Sequence, residues 1–397
     1  MTLNIGLRYE DAHGWLNDGE KPLCQQTTIF IQGSCFPAVK GVPDFKAFVP
    51  RVSMVYDVSG NGKTALKFSA NRYKDRVTET YLTRINPIGL SSDTRPWTDL
   101  NRDLVPQLNE LGPSTGFNIG TTNRYASDLK WPTTNELDFE VEQELPGKVV
   151  VGAGYFYRGY RDVIGQKNEL VPTSSYIPLT VTEVTTGQTV SLFNQDPATR
   201  GKFDTVYFNT PEMNKTFHGF DLTVQKRMAN RWMMMGSVTY GHDVGNSGGD
   251  LNNPNNAQYR IGVATGYDVP VFVKLSGSYL LPYGLQASGS FQYYTGWPET
   301  TVVRVASDTV RLTQTTQNVI IEPRGATRMD NVRLVDLSFK KSLRAGKGTR
   351  LEPRLDIYNL LNRATVTNRI QQLGPSYHNV IDLLGARMIK LGANIGW

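Results

Sequence analysis

The sequence is poor in the residues that metal sites and thiol chemistry use, with two cysteines and four histidines in 397 residues. The histidines, His13, His218, His242 and His378, are scattered, and no pair has the His-Glu-x-x-His spacing of a zinc helix. A metal or other cofactor is therefore not expected. Ser276-Gly277-Ser278 and Ser288-Gly289-Ser290 lie inside alternating segments, not on a nucleophile elbow. The glycine-rich pieces sit in turns rather than between a strand and a helix, so no phosphate loop is present. An enzyme is not expected. No stretch reaches the roughly 18 consecutive apolar residues of a membrane-spanning helix. No signal peptide is visible, because Met1 leads at once into the strand-like Thr2-Leu3-Asn4-Ile5-Gly6-Leu7-Arg8-Tyr9. Nor is there a basic run. The excess of Lys and Arg, +6 in all, is spread along the chain, so a nucleic-acid partner is not expected.

What the sequence does have is alternation of period two, in segments of about ten residues, the length of a tilted spanning strand. Leu3, Ile5, Leu7 and Tyr9 share one face, against Asn4, Gly6, Arg8 and Glu10. Leu137, Phe139, Val141 and Leu145 oppose Asp138, Glu140, Glu142 and Glu144. Phe220, Leu222 and Val224 oppose Asp221, Thr223 and Gln225. At the end, Ile389, Leu391, Ala393, Ile395 and Trp397 oppose Lys390, Gly392, Asn394 and Gly396. The mean hydropathy of -0.36 is compatible with a membrane barrel, whose lumen face and loops are polar.

Tight turns and long polar stretches take turns along the chain. Pro146-Gly147-Lys148, Ala229-Asn230 and Pro282-Tyr283-Gly284 are short, whereas 10–45, 75–132, 161–216, 243–270, 297–330 and 362–385 are long. Short periplasmic turns and long outer loops have this asymmetry; a soluble sandwich spreads its connections more evenly. The segments between predict an all-β, antiparallel transmembrane β-barrel of about twelve strands, near 2–10, 45–58, 63–74, 133–145, 148–160, 217–228, 230–242, 271–281, 284–296, 331–343, 349–361 and 386–397. Thr205-Val206-Tyr207-Phe208 predicts a further hairpin within 161–216. Cys24 and Cys35 share one polar loop, and an oxidising compartment would let them form a disulfide.

The final third resembles the barrel of TonB-dependent outer-membrane receptors, in particular the subgroup that starts with a carboxypeptidase-regulatory-like domain. The residues that carry the resemblance are Leu334-Val335-Asp336-Leu337-Ser338-Phe339-Lys340-Lys341 and Asp356-Ile357-Tyr358-Asn359-Leu360-Leu361-Asn362. Thr2 to Glu10, and Asp268 to Gly284 followed by Thr295-Gly296-Trp297-Pro298, resemble other strands of the subgroup. The resemblance implies a barrel of twenty-two strands with a plug and a TonB box. This chain departs from that pattern, with about twelve strands, no plug and no signal peptide. The expectation is the second half of such a barrel, residues 1–397 forming a partial domain in the outer membrane of a Gram-negative-type bacterium. The chain then reads as a fragment, a misplaced start or a shortened form.

The resemblance implies energised import of a scarce nutrient, whether carbohydrate, peptide or metal chelate. The TonB complex would act only through a plug that this chain lacks. Two other classes stay open: a passive porin-like or structural barrel, and a soluble carbohydrate-binding β-sandwich. Trp397, after Ile395, Ala393 and Leu391, resembles the terminal signal read by the barrel-assembly machinery. Besides outer-membrane lipid, the expected partner is a small-molecule or oligomeric ligand. The loop aromatics Trp97, Trp131, Trp297 and Tyr377, with Tyr125 and Tyr259, could stack on it or simply pack the loops. The acidic row Asp138, Glu140, Glu142 and Glu144 could bind a cation, or pair across the lumen with Lys and Arg of neighbouring strands.

Overall fold

The computed structural model describes residues 1–26, 33–88, 94–113, 123–182, 187–246, 248–260, 264–306, 309–344, 346 and 348–396. Thirteen strands form one antiparallel sheet; setting aside the two-residue strand Leu343–Arg344 leaves twelve long ones. These are β1 (Thr2–Leu16), β2 (Val39–Asp57), β3 (Thr64–Lys74), β4 (Thr133–Leu145), β5 (Val149–Arg161), β6 (Lys215–Ala229), β7 (Trp232–Gly245), β8 (Val271–Leu280), β9 (Leu285–Tyr294), β10 (Val332–Lys341), β11 (Arg350–Tyr358) and β12 (Met388–Gly396). Each pairs with its neighbour in chain order. The predicted strands therefore stand where the alternation put them. β1 and β2 run further into their connection than predicted, to Leu16 and from Val39, with a register shift between His13 and Trp15.

Successive side chains of a strand point to opposite sides, so the register sorts the sheet into two faces. On one, Leu3 stands opposite Met54, Ile5 opposite Val52, Leu7 opposite Pro50 and Tyr9 opposite Phe48. The same face continues through Phe139, Tyr155, Phe220 and Tyr240 to Leu355 and Leu391. It is open: Ile5 is 73% exposed, Leu222 61% and Leu391 78%. So large a contiguous apolar surface is an aggregation hazard in water and an ordinary surface in hydrocarbon.

The other face is a ladder of polar partners. Lys67 reaches Glu142 at 2.7 Å and Glu140 at 3.5 Å. Arg158 meets Glu136 at 2.6 Å, Arg227 meets Glu144 at 3.3 Å, and Ser69 donates to Asp138 at 2.7 Å. The acidic row is thus dispersed along cross-strand partners. Among the described residues, no group of His, Cys, Asp and Glu could hold a metal ion.

The β6–β7 connection shows why the tight turns stay tight. Asn230 and Arg231 both take positive φ, 53° and 69°, as a primed two-residue hairpin turn requires. Parts of the long connections, by contrast, pack on one another. In the β5–β6 connection, Ile164–Asn168 pairs with Thr205–Asn209, the hairpin partner the sequence predicted, and Thr205–Asn209 also takes Arg124–Tyr125 in parallel. A second hairpin there, Tyr176–Thr182 with Thr189–Gln195, meets the hairpin Val302–Ala306 with Thr316–Ile320 of the β9–β10 connection. Val181, Val190, Leu192, Val303, Val305 and Val319 form a buried core between them. Reading these stretches as polar loops misses that core, which draws on two segments more than a hundred residues apart.

Among the described residues, β1 pairs only with β2, and β12 only with β11. Over the described residues the sheet is barrel-like with two unpaired edges.

Candidate functional site

At the long-loop ends of β3 to β7 lies a cavity of 550 Å³. Its wall takes Asp75, Arg76, Tyr81 and Arg84 from the segment after β3, Thr133 and Thr134 from β4, and Tyr160 and Arg161 from β5. Lys215, Asp243 and Tyr267 complete it from β6, β7 and the loop beyond. Four cationic and two acidic side chains face one space, a net excess of two positive charges.

A string of aromatic rings fixes the wall. Phe45 stacks on Trp131 with ring centroids 5.3 Å apart and planes at 14°. Tyr81 meets Phe45 edge-on at 5.8 Å, Tyr125 lies 5.8 Å from Tyr81, and Tyr207 lies 5.4 Å from Tyr125. The Trp131 indole N–H donates to the Asp75 carbonyl at 2.8 Å, and the Tyr125 hydroxyl to the Tyr81 carbonyl at 3.0 Å. These two bonds tie the segment after β3 to the segment before β4. Burial pushes the Tyr81 phenol up to about 12, with Asp75 adding to it, and burial raises Tyr125 too. Both rings are neutral donors at physiological pH.

The cations differ in freedom. Arg161 is spent on the protein: Nη1 donates to the carbonyls of Tyr160 and Lys215 at 3.0 and 3.1 Å, and Nη2 to the Tyr157 hydroxyl at 2.8 Å. Arg84 lies 5.1 Å from the centre of the Tyr207 ring. The charged ends of Arg76 and Lys215 have no carboxylate partner among the described residues. Asp243 accepts from the Thr265 hydroxyl at 2.7 Å through Oδ2, while its buried Oδ1 has no partner. A second cavity of 550 Å³ shares Asp75 and Arg76 and runs down to Arg8, Arg51 and Tyr73 on the polar face of β1 to β3. The arrangement can hold a polar solute rich in acceptor oxygens; it offers no nucleophile and base pair for covalent chemistry.

Of the aromatics singled out in the sequence, Trp131 lines the second cavity and Tyr125 belongs to the ring string, and Trp97, Trp297 and Tyr377 lie elsewhere. Trp131 is 7% exposed and works as a core ring. Trp97 donates to Glu110 at 3.2 Å within its own loop. Trp297 is 39% exposed at the start of the β9–β10 connection. Tyr377 stacks on His378 at 3.8 Å. None of the four lines the cavity between β3 and β7, and the side chain of Tyr259 lies outside the described residues. The lining cations were not found in the sequence, because Arg76, Arg161 and Lys215 meet only through the strand order. Cys24 and Cys35 face each other across the short hairpin Leu23–Gln25 with Ser34–Phe36, joined by a disulfide with S–S 2.12 Å. Leu391, Ala393 and Ile395 lie on the apolar face of β12, and Trp397 lies outside the described residues.

Comparison with known proteins agrees with this architecture. The family model described as outer membrane beta barrel domain matches residues 1–321. No curated protein matches the chain. The outer membrane transporter YddB from Escherichia coli is similar over 90% of this chain and 41% of its own, at 15% identity and a TM-score of 0.51. The ferric-catecholate import receptor Fiu from K12 E. coli, in its closed form, is similar over 98% of this chain and 42% of its own, at 12% identity and a TM-score of 0.51. The siderophore receptor PirA from Acinetobacter baumannii is similar over 89% and 41%, at 11% identity and a TM-score of 0.50. The chain spans about two fifths of the length of these structures.

Proposed function

The chain belongs to the outer membrane beta barrel domain family, and from that premise we propose that it forms part of the wall of an energy-coupled import receptor. Its place is the bacterial outer membrane. The observation that carries the proposal is the pair of unpaired edges. A strand in hydrocarbon must have both edges hydrogen-bonded, and among the described residues β1 and β12 are each paired on one side only, which supports the reading that further strands complete the barrel. A passive porin of twelve strands would have to close on itself. We assign the closing strands and the plug to the rest of a longer natural polypeptide, in keeping with the resemblance to TonB-dependent receptors and their carboxypeptidase-regulatory-like subgroup. The cavity between β3 and β7 would meet the incoming solute, a carbohydrate, peptide or metal chelate, before it enters the lumen. Leu391, Ala393 and Ile395, with Trp397, would present the final strand to the barrel-assembly machinery.

The test is uptake by cells carrying the whole natural gene product, using radiolabelled oligosaccharides, peptides and ferric catecholates. A receptor saturates at low solute concentration and stops when the proton gradient is collapsed. Uptake that rises linearly with concentration and ignores the uncoupler returns the barrel to the porin class.

A further inference from the structure

On the apolar face, the outward side chains thin out along the pairing of β8 with β9. Gly277 stands directly opposite Gly289, and Tyr279 opposite Ala287. Leucine-sized side chains are missing at Gly277, Gly289 and Ala287, and the gap is a 620 Å³ groove, nearly all apolar, walled by Trp232, Tyr279 and Phe339. Its size is that of a small-molecule site, yet it opens on the surface that faces the membrane. One end of it is marked. Trp232 and Tyr279 form a cross-strand pair beside the short β6–β7 and β8–β9 turns, the position of an interfacial aromatic belt.

Charge marks the same end. The hairpin ends 226–235, 278–288 and 337–351 carry eight lysines and arginines and no aspartate or glutamate. Some are paired inward: Arg227 with Glu144, and Lys340 and Arg350 with Glu352. Others are not. Lys226 lies on the outward face, its ammonium 4.2 Å from the centre of the Trp232 ring and bonded only to backbone carbonyls, among them that of Ala229 at 2.9 Å. Lys341 stands on the outward face of β10, one step nearer the turn than Phe339. Arg231 and Arg344 lie in or next to the turns, with no carboxylate partner among the described residues. An apolar trough thus ends beside Arg231, Lys341 and Arg344, exposed and without a carboxylate partner among the described residues, whereas Lys226 is buried and held by backbone carbonyls. A second protein copy would have to bury those cations unpaired, at a cost a phosphate removes.

We propose that this groove is a binding site for an anionic glycerophospholipid of the inner leaflet of the outer membrane. One acyl chain lies over Gly277 and Gly289, and the phosphate meets Arg231 and Lys341. The inference rests on the placement of the sheet in the membrane and is independent of what the barrel imports.

The test uses the whole natural protein, extracted in mild detergent and analysed by native mass spectrometry and by lipid extraction. Phosphatidylglycerol or cardiolipin should be retained in excess over phosphatidylethanolamine, relative to the membrane it came from. Ala287→Phe, which fills the groove, should lower the retained anionic lipid on the order of tenfold, as loss of a few buried methylenes does. The control Ala153→Phe, on the outward face of β5, should leave it unchanged. The double variant Arg231→Gln, Lys341→Gln keeps the groove and should abolish the preference for anionic lipid, a readout that stands even if Ala287→Phe does not fold. Retention with bulk lipid proportions, equal retention in Ala287→Phe and Ala153→Phe, or a dimer mass that Ala287→Phe alone removes would each overturn the proposal.

Discussion

The Asn255 carboxamide closes a two-bond clamp on Phe193: Nδ2 donates to the Phe193 carbonyl and Oδ1 accepts from its N–H, both at 2.8 Å. Asn255 is fully buried, so no water replaces it. Asn255→Ala leaves the Phe193 N–H without a partner, while the Phe193 carbonyl keeps the Gln314 carboxamide, which donates to it at 2.7 Å. The expected cost is about 1–3 kcal/mol of local stability. Limited proteolysis should show faster cleavage between residues 176 and 195, while the sheet keeps its heat-modifiable migration. An unchanged cleavage rate would mean the clamp is redundant.

Glu299 and Arg369 couple two other connections. The carboxylate is 2% exposed, and the guanidinium grips it through Nε and Nη2, the second at 2.7 Å. Arg369→Met strands a buried charge and is expected to cost about 3–5 kcal/mol. Adding Glu299→Gln removes the stranded charge, so the double variant should recover a large part of the loss. Thermal denaturation of the four proteins closes the cycle. Additive losses would mean that the two residues act apart.

Asp250 gives the loops a pH dependence of predictable sign. Burial raises its pKa, against hydrogen bonds from the backbone N–H groups of Asn252 and Asn168. The folded state therefore holds the proton more tightly than the unfolded state. Its contribution is full below the ordinary carboxylate value and is lost as pH rises through the raised one. Asp250→Asn keeps an acceptor oxygen for Asn168 and never ionises. Hydrogen exchange at 164–170 should speed up in the wild-type chain as pH climbs through that window, after correction for intrinsic exchange. In Asp250→Asn the corrected rate should be flat, and a residual slope would assign the dependence to another group.

Legibility differed by layer. Leu3, Ile5 and Leu7 announce their strand because period-two alternation is local, and the turn at Asn230 announces itself by type. The loop core does not. Val181, Leu192 and Val303 look like stray apolar residues until their hairpins stack, and Tyr176–Thr182 alternates too briefly to stand out from its polar flanks. The cavity was hidden for the same reason, since Arg76 and Lys215 become neighbours only when β3 to β6 take their order. Trp131 stands out in the sequence as a ring that could stack on a ligand or pack its loop, and at 7% exposure it forms part of the wall.

Reduction of the Cys24–Cys35 disulfide should loosen one connection and leave the rest alone. The crosslink spans eleven residues of the β1–β2 connection. By loop closure alone it is worth about 3 kcal/mol to that segment. Cys24→Ser with Cys35→Ser should make residues 17–40 the first site of proteolysis. Alkylation without reductant should label neither cysteine in the wild-type protein. Labelling of both would remove the disulfide from the argument.

Trp131 tests whether the aromatic string holds the cavity open. Its ring is 7% exposed, lies flat on Phe45 and fixes the Asp75 carbonyl, which sets where Arg76 enters the wall. Trp131→Ala removes a large buried ring, at a cost of about 3–5 kcal/mol for such sites. Trp131→Phe restores most of the volume but not the N–H bond, so its expected cost is smaller, about 1–2 kcal/mol. If the proposed import function holds, both variants should weaken uptake, with Trp131→Phe raising the half-saturating concentration and sparing the maximal rate, because the wall is displaced while the lumen is untouched. A loss of maximal rate in Trp131→Phe at normal surface expression would place the aromatic string in the transport step itself, beyond a wall that only receives the solute.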